Sequence, residues 1–443
     1  MSSYSLLPNN RADPDHVYYS ANIINTNTDT YGAGDDPAAQ FTETRNVPIL
    51  RDGHDYEVSV LSCKVNGGGK TLPILVPLIQ TGSSQNNVNL TVYSVQLNVA
   101  YYSGGVKYAT SDPQFIIWAP ENLDSATAVP TGPVVTQSDS AYYYCYSYNH
   151  WVVLVNRALQ TAYTQLQTNI TAVGAYTLQS ACPTVEYDEI SGLFSFYTTA
   201  GTTNSAWGTM AEKAPTEANL NAAGLLPSTA ATEFMFVGYN LNFEGLMTNF
   251  DTQYYGYQQT AWQTGANTLS TSTQLYLPEN TLVVRNKTGT NILNQIDPTT
   301  GVAYTSPVLR FVTTQDFRST DTLWSPVQSI VLTTNLIPTR NEFVSAPVVL
   351  GSGNVVSYGT SSFQTVLLDF YDDKDVAHSW RGELTYKPSA EFIPVSLSPT
   401  HGEIKSVDFI VSWRNRLTNQ LVPLRLYNTS SISVRLLFRR SKQ

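Results

Sequence analysis

Two stretches near the end of the chain decide its fold: IKSVDFIVSW, Ile404–Trp413, and SISVRLLFRR, Ser431–Arg440. In the first, Val407, Phe409, Val411 and Trp413 occupy every second position, with Asp408, Ile410 and Ser412 between them. In the second, Ile432, Val434, Leu436 and Phe438 do the same. A period of two places one set of side chains on one face of a strand, so both stretches predict half-buried β-strands. The same rhythm opens the chain, where Val17, Tyr19, Ala21 and Ile23 share a face, followed by Val58 and Val60 near Tyr56. Further in, Val88, Leu90 and Val92 fall on even positions, but Val95, Leu97, Val99 and Tyr101 fall on odd ones. One extra residue exchanges the faces of a strand, so this flip predicts a bulge near Tyr93.

The middle reads differently. From His150 to Ile170, Trp151, Val155, Ala158, Ala162 and Leu166 recur at helical spacing in a run without Pro or Gly. Val185–Tyr197 reads as a hairpin turning at Ser191 and Gly192. Phe234–Gly238 reads as a strand and Leu241–Phe250 as a short helix. Pro120–Ser140 looks like a linker, and Gly201–Ala230 like a loop. Many short strands with turn signals imply a sandwich, jelly roll or barrel rather than a repeated βαβ sheet. The expected architecture is mainly β: a single jelly-roll sandwich assembled from the N- and C-terminal halves, carrying a large α+β insertion. The boundaries read as an arm over 1–15, a jelly roll over 16–125 and 301–443, and an insertion over 126–300.

Composition narrows the class. Only 13% of the 443 residues are charged, while 42% are hydrophobic and 12% aromatic, with 28 Tyr. Disorder needs high charge and few aromatics, and a coiled coil needs abundant Ala, Glu, Lys and Leu, so both are excluded. The net charge of -10 argues against a general polyanion binder. Charge is also sorted: from Lys405 onward eight Lys or Arg face one acid, Asp408, leaving 16 basic and 33 acidic residues elsewhere. Such asymmetry can mark contact with nucleic acid or a membrane, or simply a solvated strand edge. Within it, Arg435, Arg439, Arg440 and Lys442 form the most specific charge feature. Arg435 and Arg439 fall opposite Leu436 and Phe438, with Arg440 and Lys442 beyond them in a tail; the functional reading is contact with an anionic partner.

Little else carries chemistry. Gly67–Thr71 resembles the end of a phosphate loop, but the required earlier Gly is Lys64 and no helix start follows. Asp369, Asp372, Asp373 and Asp375 form the densest acidic cluster, without calcium-loop spacing. His16, His54, His150, His378 and His401 show no i+3 or i+4 pairing, and no G-x-S-x-G elbow exists. No enzyme, cofactor or metal is therefore expected. Cys63, Cys145 and Cys182 fit neither a disulfide framework nor a zinc site and read as reduced thiols. The first fifteen residues lack a basic and an apolar region, so synthesis in the cytosol without a secretory signal is expected. The sequons at Asn89, Asn169, Asn286 and Asn428 then carry no meaning.

Several blocks resemble one family, the minor capsid (penton) proteins of Polinton-like viruses, adintoviruses and virophages. From the C-terminal third these are LWSPVQSIVLTTNLIPTRNE, TVLLDFYDD, RGELTYKPSAEFIPVSLSPTHGEIKSVDFIVSW and PLRLYNTSSISVRLLFRRSK. Earlier come RNVPILRDGHDYEVSVLSCKVNGGGKTLPILVP, then YCYSYNHWVVLVNRALQTAYTQL followed by VEYDEISGLFSFY. They cover roughly half of the chain in the family's order. Two departures concern local turns: Ile393 stands where an Arg often follows the aromatic, and 415–419 lacks a Gly. The resemblance implies a virion protein: a homopentamer at the five-fold vertices of an icosahedral DNA-virus shell, beside trimers of a double jelly-roll major capsid protein. It makes the insertion a candidate outward projection that could meet a host receptor. The basic C-terminus would then face the genome or an internal membrane. The competing readings are a carbohydrate-binding adhesin or fibre-like β-protein, with Tyr and Trp as stacking platforms, and a secreted β-sandwich hydrolase.

Overall fold

A computed structural model describes residues 14–26, 37–67, 72–75, 93–103, 106–119, 144–174, 176–178, 181–199, 233–254, 280–282, 290–292, 308–319, 324–339, 342–344, 348–350, 355–357, 362–371, 383–388, 394–397, 402–416 and 419–441. The N-terminal part forms β1 (His16–Ile24), β2 (Gln40–Thr44) and β3 (Tyr56–Asn66). The middle forms β4 (Ser94–Tyr102), β5 (Val106–Thr110), β6 (Gln114–Phe115), α1 (Tyr148–Val173), β7 (Thr184–Asp188), β8 (Leu193–Thr199), β9 (Glu233–Tyr239), α2 (Leu241–Leu246), β10 (Thr252–Tyr254), β11 (Asn280–Leu282), β12 (Thr290–Ile292) and β13 (Val308–Thr314). The last third forms β14 (Val327–Thr333), β15 (Glu342–Val344), β16 (Val348–Leu350), β17 (Val355–Ser357), β18 (Ser362–Gln364), β19 (Val366–Phe370), β20 (Glu383–Tyr386), β21 (Val395–Ser396), β22 (Ser406–Asn415), β23 (Leu421–Pro423) and β24 (Ser431–Arg440).

Two units divide the chain: Met1–Ile74 with Ser138–Ala141 and Ser325–Gln443, and Leu75–Gln137 with Tyr142–Trp324. Among the described residues, the first holds two large antiparallel sheets, ordered β1-β24-β3-β20 and β2-β22-β14-β19, besides the two-stranded pairs β15-β18 and β16-β17. The eight principal strands are thus paired first with last, second with seventh, third with sixth and fourth with fifth. This nested winding is a jelly roll. The alternation read from the sequence supplies its core. Ile432, Val434, Leu436 and Phe438 are buried on one sheet, and Val407, Phe409, Val411 and Trp413 on the other. Aromatic contacts link the sheets at both flanks. The Tyr19 ring meets Phe41 edge-on at 6.3 Å, and Phe41 stacks on Phe409 at 5.0 Å. On the far flank Phe370 lies 5.3 Å from Tyr386.

A bulge does occur in this unit, in β3. Arg435 and Leu436 of β24 oppose Ser62 and Val60, which leaves Leu61 as the extra residue. The buried side chains accordingly shift from Tyr56, Val58 and Val60 to Cys63 and Val65. The flip predicted near Tyr93 involves 88–92, which lie outside the described residues.

The second unit contains the sheets β10-β11-β9-β4-β5 and β12-β13-β8-β7, with β6 beside β4. The predicted helix is α1. Ser147 caps it by accepting from the His150 amide at 3.0 Å, satisfying one of the amides a helix start leaves open. It packs on β4 and β7; its Tyr148 ring lies 4.4 Å from Tyr187 of β7, beside a cluster in which Trp324 stacks on Phe194 of β8 at 5.5 Å and meets Trp151 edge-on at 5.8 Å. The predicted hairpin is the β7–β8 pair, and the predicted strand near Phe234 is β9. The helix expected over 241–250 stops at Leu246, and the chain turns at Asn249, whose φ is +70°.

These units differ from the boundaries read in the sequence. The alternating strand β4 pairs with β9 along seven residues and with β5, not with any jelly-roll strand. Alternation reports that one face is buried but not which sheet buries it. The expected linker 120–140 and loop 201–230 lie outside the described residues.

Candidate functional site

The basic residues of β24 are the sequence's candidate, and the register of three strands decides their surroundings. Arg435 sits between Ser20 of β1 and Ser62 of β3, and Arg439 between His16 and Glu57. Since the intervening Leu436 and Phe438 point into the core, Arg435 and Arg439 share the outer face of the sheet. The Arg435 guanidinium carbon lies 5.1 Å from the centre of the exposed Tyr18 ring, a favourable cation–π distance. Lys64 belongs to the same face, and its Nζ sits 2.9 Å from Glu383 Oε1. Glu57 and Glu383 therefore offset part of the positive charge.

Arg440 departs from the sequence reading. It lies within β24 rather than in a tail, because the strand continues to the first described residues of the chain. Its amide donates to the Asp15 carbonyl at 2.9 Å, and its Nη1 lies 3.5 Å from Asp15 Oδ1. Its guanidinium carbon stands 5.5 Å from the Tyr56 ring centre, and the Tyr56 hydroxyl donates to the Pro14 carbonyl at 2.6 Å. Arg440 thus secures the chain entering β1 and stands apart from Arg435. Lys442 lies outside the described residues.

The other candidates have structural explanations. Asp369 pairs with Arg414 at 2.9 Å, while Asp372, Asp373 and Asp375 lie outside the described residues. Asp408 was read only as the lone acid of the basic stretch. It is buried and accepts from the Thr334 hydroxyl at 2.6 Å and from the amides of Asn335 and Leu336. Sequence reasoning missed this brace because its partners lie more than seventy positions away. Cys63, Cys145 and Cys182 are buried free thiols, and burial pushes Cys63 up to about 12. His150 Nε2 lies 2.7 Å from the Ala119 carbonyl inside the inserted unit. Of the phosphate-loop resemblance, Gly67 is described and 68–71 are not. Among the described residues, no group of three or more His, Cys, Asp or Glu is placed to hold a metal. Nor is any described helix long and apolar enough to cross a membrane.

The geometry thus consists of a jelly roll, an inserted unit and an outer sheet face that carries Arg435 and Arg439. Comparisons with known proteins agree with it. A family model described as Sputnik minor capsid protein V18/19 matches residues 17–440. An uncharacterized protein of Sputnik virophage, V18, is 29% identical over 176 residues, 38% of this chain and 95% of its own length. Among solved structures, a chain from the cryo-EM structure of the Sputnik virophage superposes with a TM-score of 0.61 at 19% identity, covering 97% of this chain and 98% of that one. The mavirus penton protein superposes with a TM-score of 0.50 at 13% identity, covering 96% and 99%. With the match spanning nearly its whole length, the chain belongs to the Sputnik minor capsid protein V18/19 family and is a structural capsid protein with a jelly-roll fold.

Proposed function

We propose that this protein forms the homopentameric penton at the five-fold vertices of an icosahedral virion, set among trimers of a double jelly-roll major capsid protein. The nested eight-strand pairing carries the reading, supported by the family match over 17–440. A jelly roll keeps its core between two sheets and leaves its flanks and loops for neighbours, so the protein acts through shape and burial and needs no catalytic step. Its sparse charge and abundant Tyr suit this role, because interface cores are depleted in charge and enriched in aromatics. Native mass measurement of the purified chain tests the ring: a species of five times 48.8 kDa is expected, and a strict monomer at high concentration would overturn it.

Within this reading the inserted unit projects outward, where it can meet a host receptor, and the outer sheet face bearing Arg435 and Arg439 turns to phosphate groups of the genome or an internal membrane. Arg435 is its most available cation. Replacing Arg435 and Arg439 with Gln should weaken binding to DNA or to anionic vesicles and reduce its salt dependence. Unchanged binding to both would sink this assignment.

A further inference from the structure

The inserted unit carries a hydrogen-bonded tip that neither the ring nor the sheet-face arginines involve. Ile190 is 90% exposed and Phe317 73%, the two most exposed large apolar side chains among the described residues. Single exposed apolar residues are ordinary. These two differ in standing on separate segments that are hydrogen-bonded to each other one residue away. Ile190 sits in the β7–β8 turn and Phe317 follows β13, yet Arg318 Nε donates to the Ser191 carbonyl at 2.7 Å.

The frame beneath them is extensively bonded. The Asp188 carboxylate accepts from the amides of Ile190 at 3.0 Å and Ser191 at 3.2 Å, closing the turn from within. Gly192 takes a φ of +72°, a conformation that favours glycine. A third segment joins through Asn249, whose side-chain amide donates to the carbonyls of Phe317 and Arg318, both at 3.4 Å. Gln315 is buried; it donates to the Thr248 carbonyl at 2.6 Å and accepts from the Phe194 amide at 3.0 Å. Three separate parts of the chain therefore hold two apolar side chains out into solvent.

A frame of this kind lowers the ordering cost of binding, and apolar anchors on structured loops are how binding energy is concentrated. The rim indicates what fits. Asp188, Glu189 and Asp316 are exposed around the tip, against Arg318, which is held on Ser191. A second copy docked face to face would bring the same acids together and be repelled, and an anionic lipid surface would be repelled likewise. We propose that Ile190 and Phe317 anchor this protein to an apolar cleft, ringed by Lys or Arg, on a different protein.

The test places a photoreactive benzoyl-phenylalanine at position 190 or 317 of the full chain and irradiates particle-producing cells. One partner protein should be captured at both positions. Titrated in purified form, that partner should lose at least about tenfold in affinity to the Ile190→Ser, Phe317→Ser double variant and bind more weakly as salt rises. Because both side chains are exposed, the variant should melt with the parent chain, which separates lost binding from lost folding. Capture only of copies of this chain, capture only of lipid, no capture, or an affinity unmoved by the double substitution would each overturn the proposal.

Discussion

The Arg414 guanidinium lies 2.9 Å from the Asp369 carboxylate, tying β22 to β19 across β14, the strand between them. The side chain of Arg414 is 8% exposed and that of Asp369 39%, so the cation is the buried member. Removing the acid strands a buried charge, which costs more than the pair itself contributes. Asp369→Asn should therefore destabilise the jelly roll by roughly 1–3 kcal/mol. The double change Asp369→Leu, Arg414→Met should recover most of that loss. Urea unfolding of the parent chain and the two variants measures both effects.

Asp408 braces the turn after β14 through bonds to a hydroxyl and two backbone amides. Asp408→Ala should leave these donors without their acceptor and cost about 3 kcal/mol or more. Asp408→Asn keeps one acceptor oxygen and should cost less. Thermal melting would rank them, and equal losses would contradict the brace.

Alkaline pH should weaken the fold. Burial holds the Cys63 thiol up to about 12 against an ordinary 9.0, and burial likewise raises Tyr93 and Tyr239. The unfolded chain releases these protons first as pH rises, so it is favoured increasingly. The stabilising contribution of the buried thiol is complete below about 9 and declines as pH climbs toward 12. Denaturant midpoints between pH 8 and 11 should fall, and less steeply in Cys63→Ala. The same burial predicts that none of the three thiols reacts with a thiol reagent until the chain unfolds.

Gly192 permits only one approach to Arg318. A methyl group there would sit 2.7 Å from Arg318 Nε, on a backbone at φ +72°. Gly192→Ala should cost about 1–2 kcal/mol from the left-handed conformation alone. It should also displace Arg318 from Ser191, visible as accelerated amide exchange across residues 189–192.

Arg440 and Arg435, only five positions apart, should behave differently. Arg440→Gln loses an ion pair that is largely solvated, so the fold should lose under about 1 kcal/mol, while amide exchange at Arg440 itself should rise. Arg435→Gln should leave exchange near Asp15 unchanged.

The sequence by itself determined the elements whose signal is local. The alternation at 407–413 and 432–438, the helical spacing from Trp151 to Leu166, and the turn at Ser191–Gly192 each depend on neighbours within a few positions, and each appears where expected. The resemblance added the winding of the strands. Tertiary structure alone decided partnership. Strand β4 alternates like a jelly-roll strand but pairs with β9 in the inserted unit. Arg440, adjacent to Arg439, is drawn to Asp15 and Tyr56. Asp408 became a buried brace through a turn more than seventy residues away. Alternation states that a face is buried; only the register between distant strands states what buries it, which sets Arg440 against the chain entering β1 and Arg435 over the Tyr18 ring.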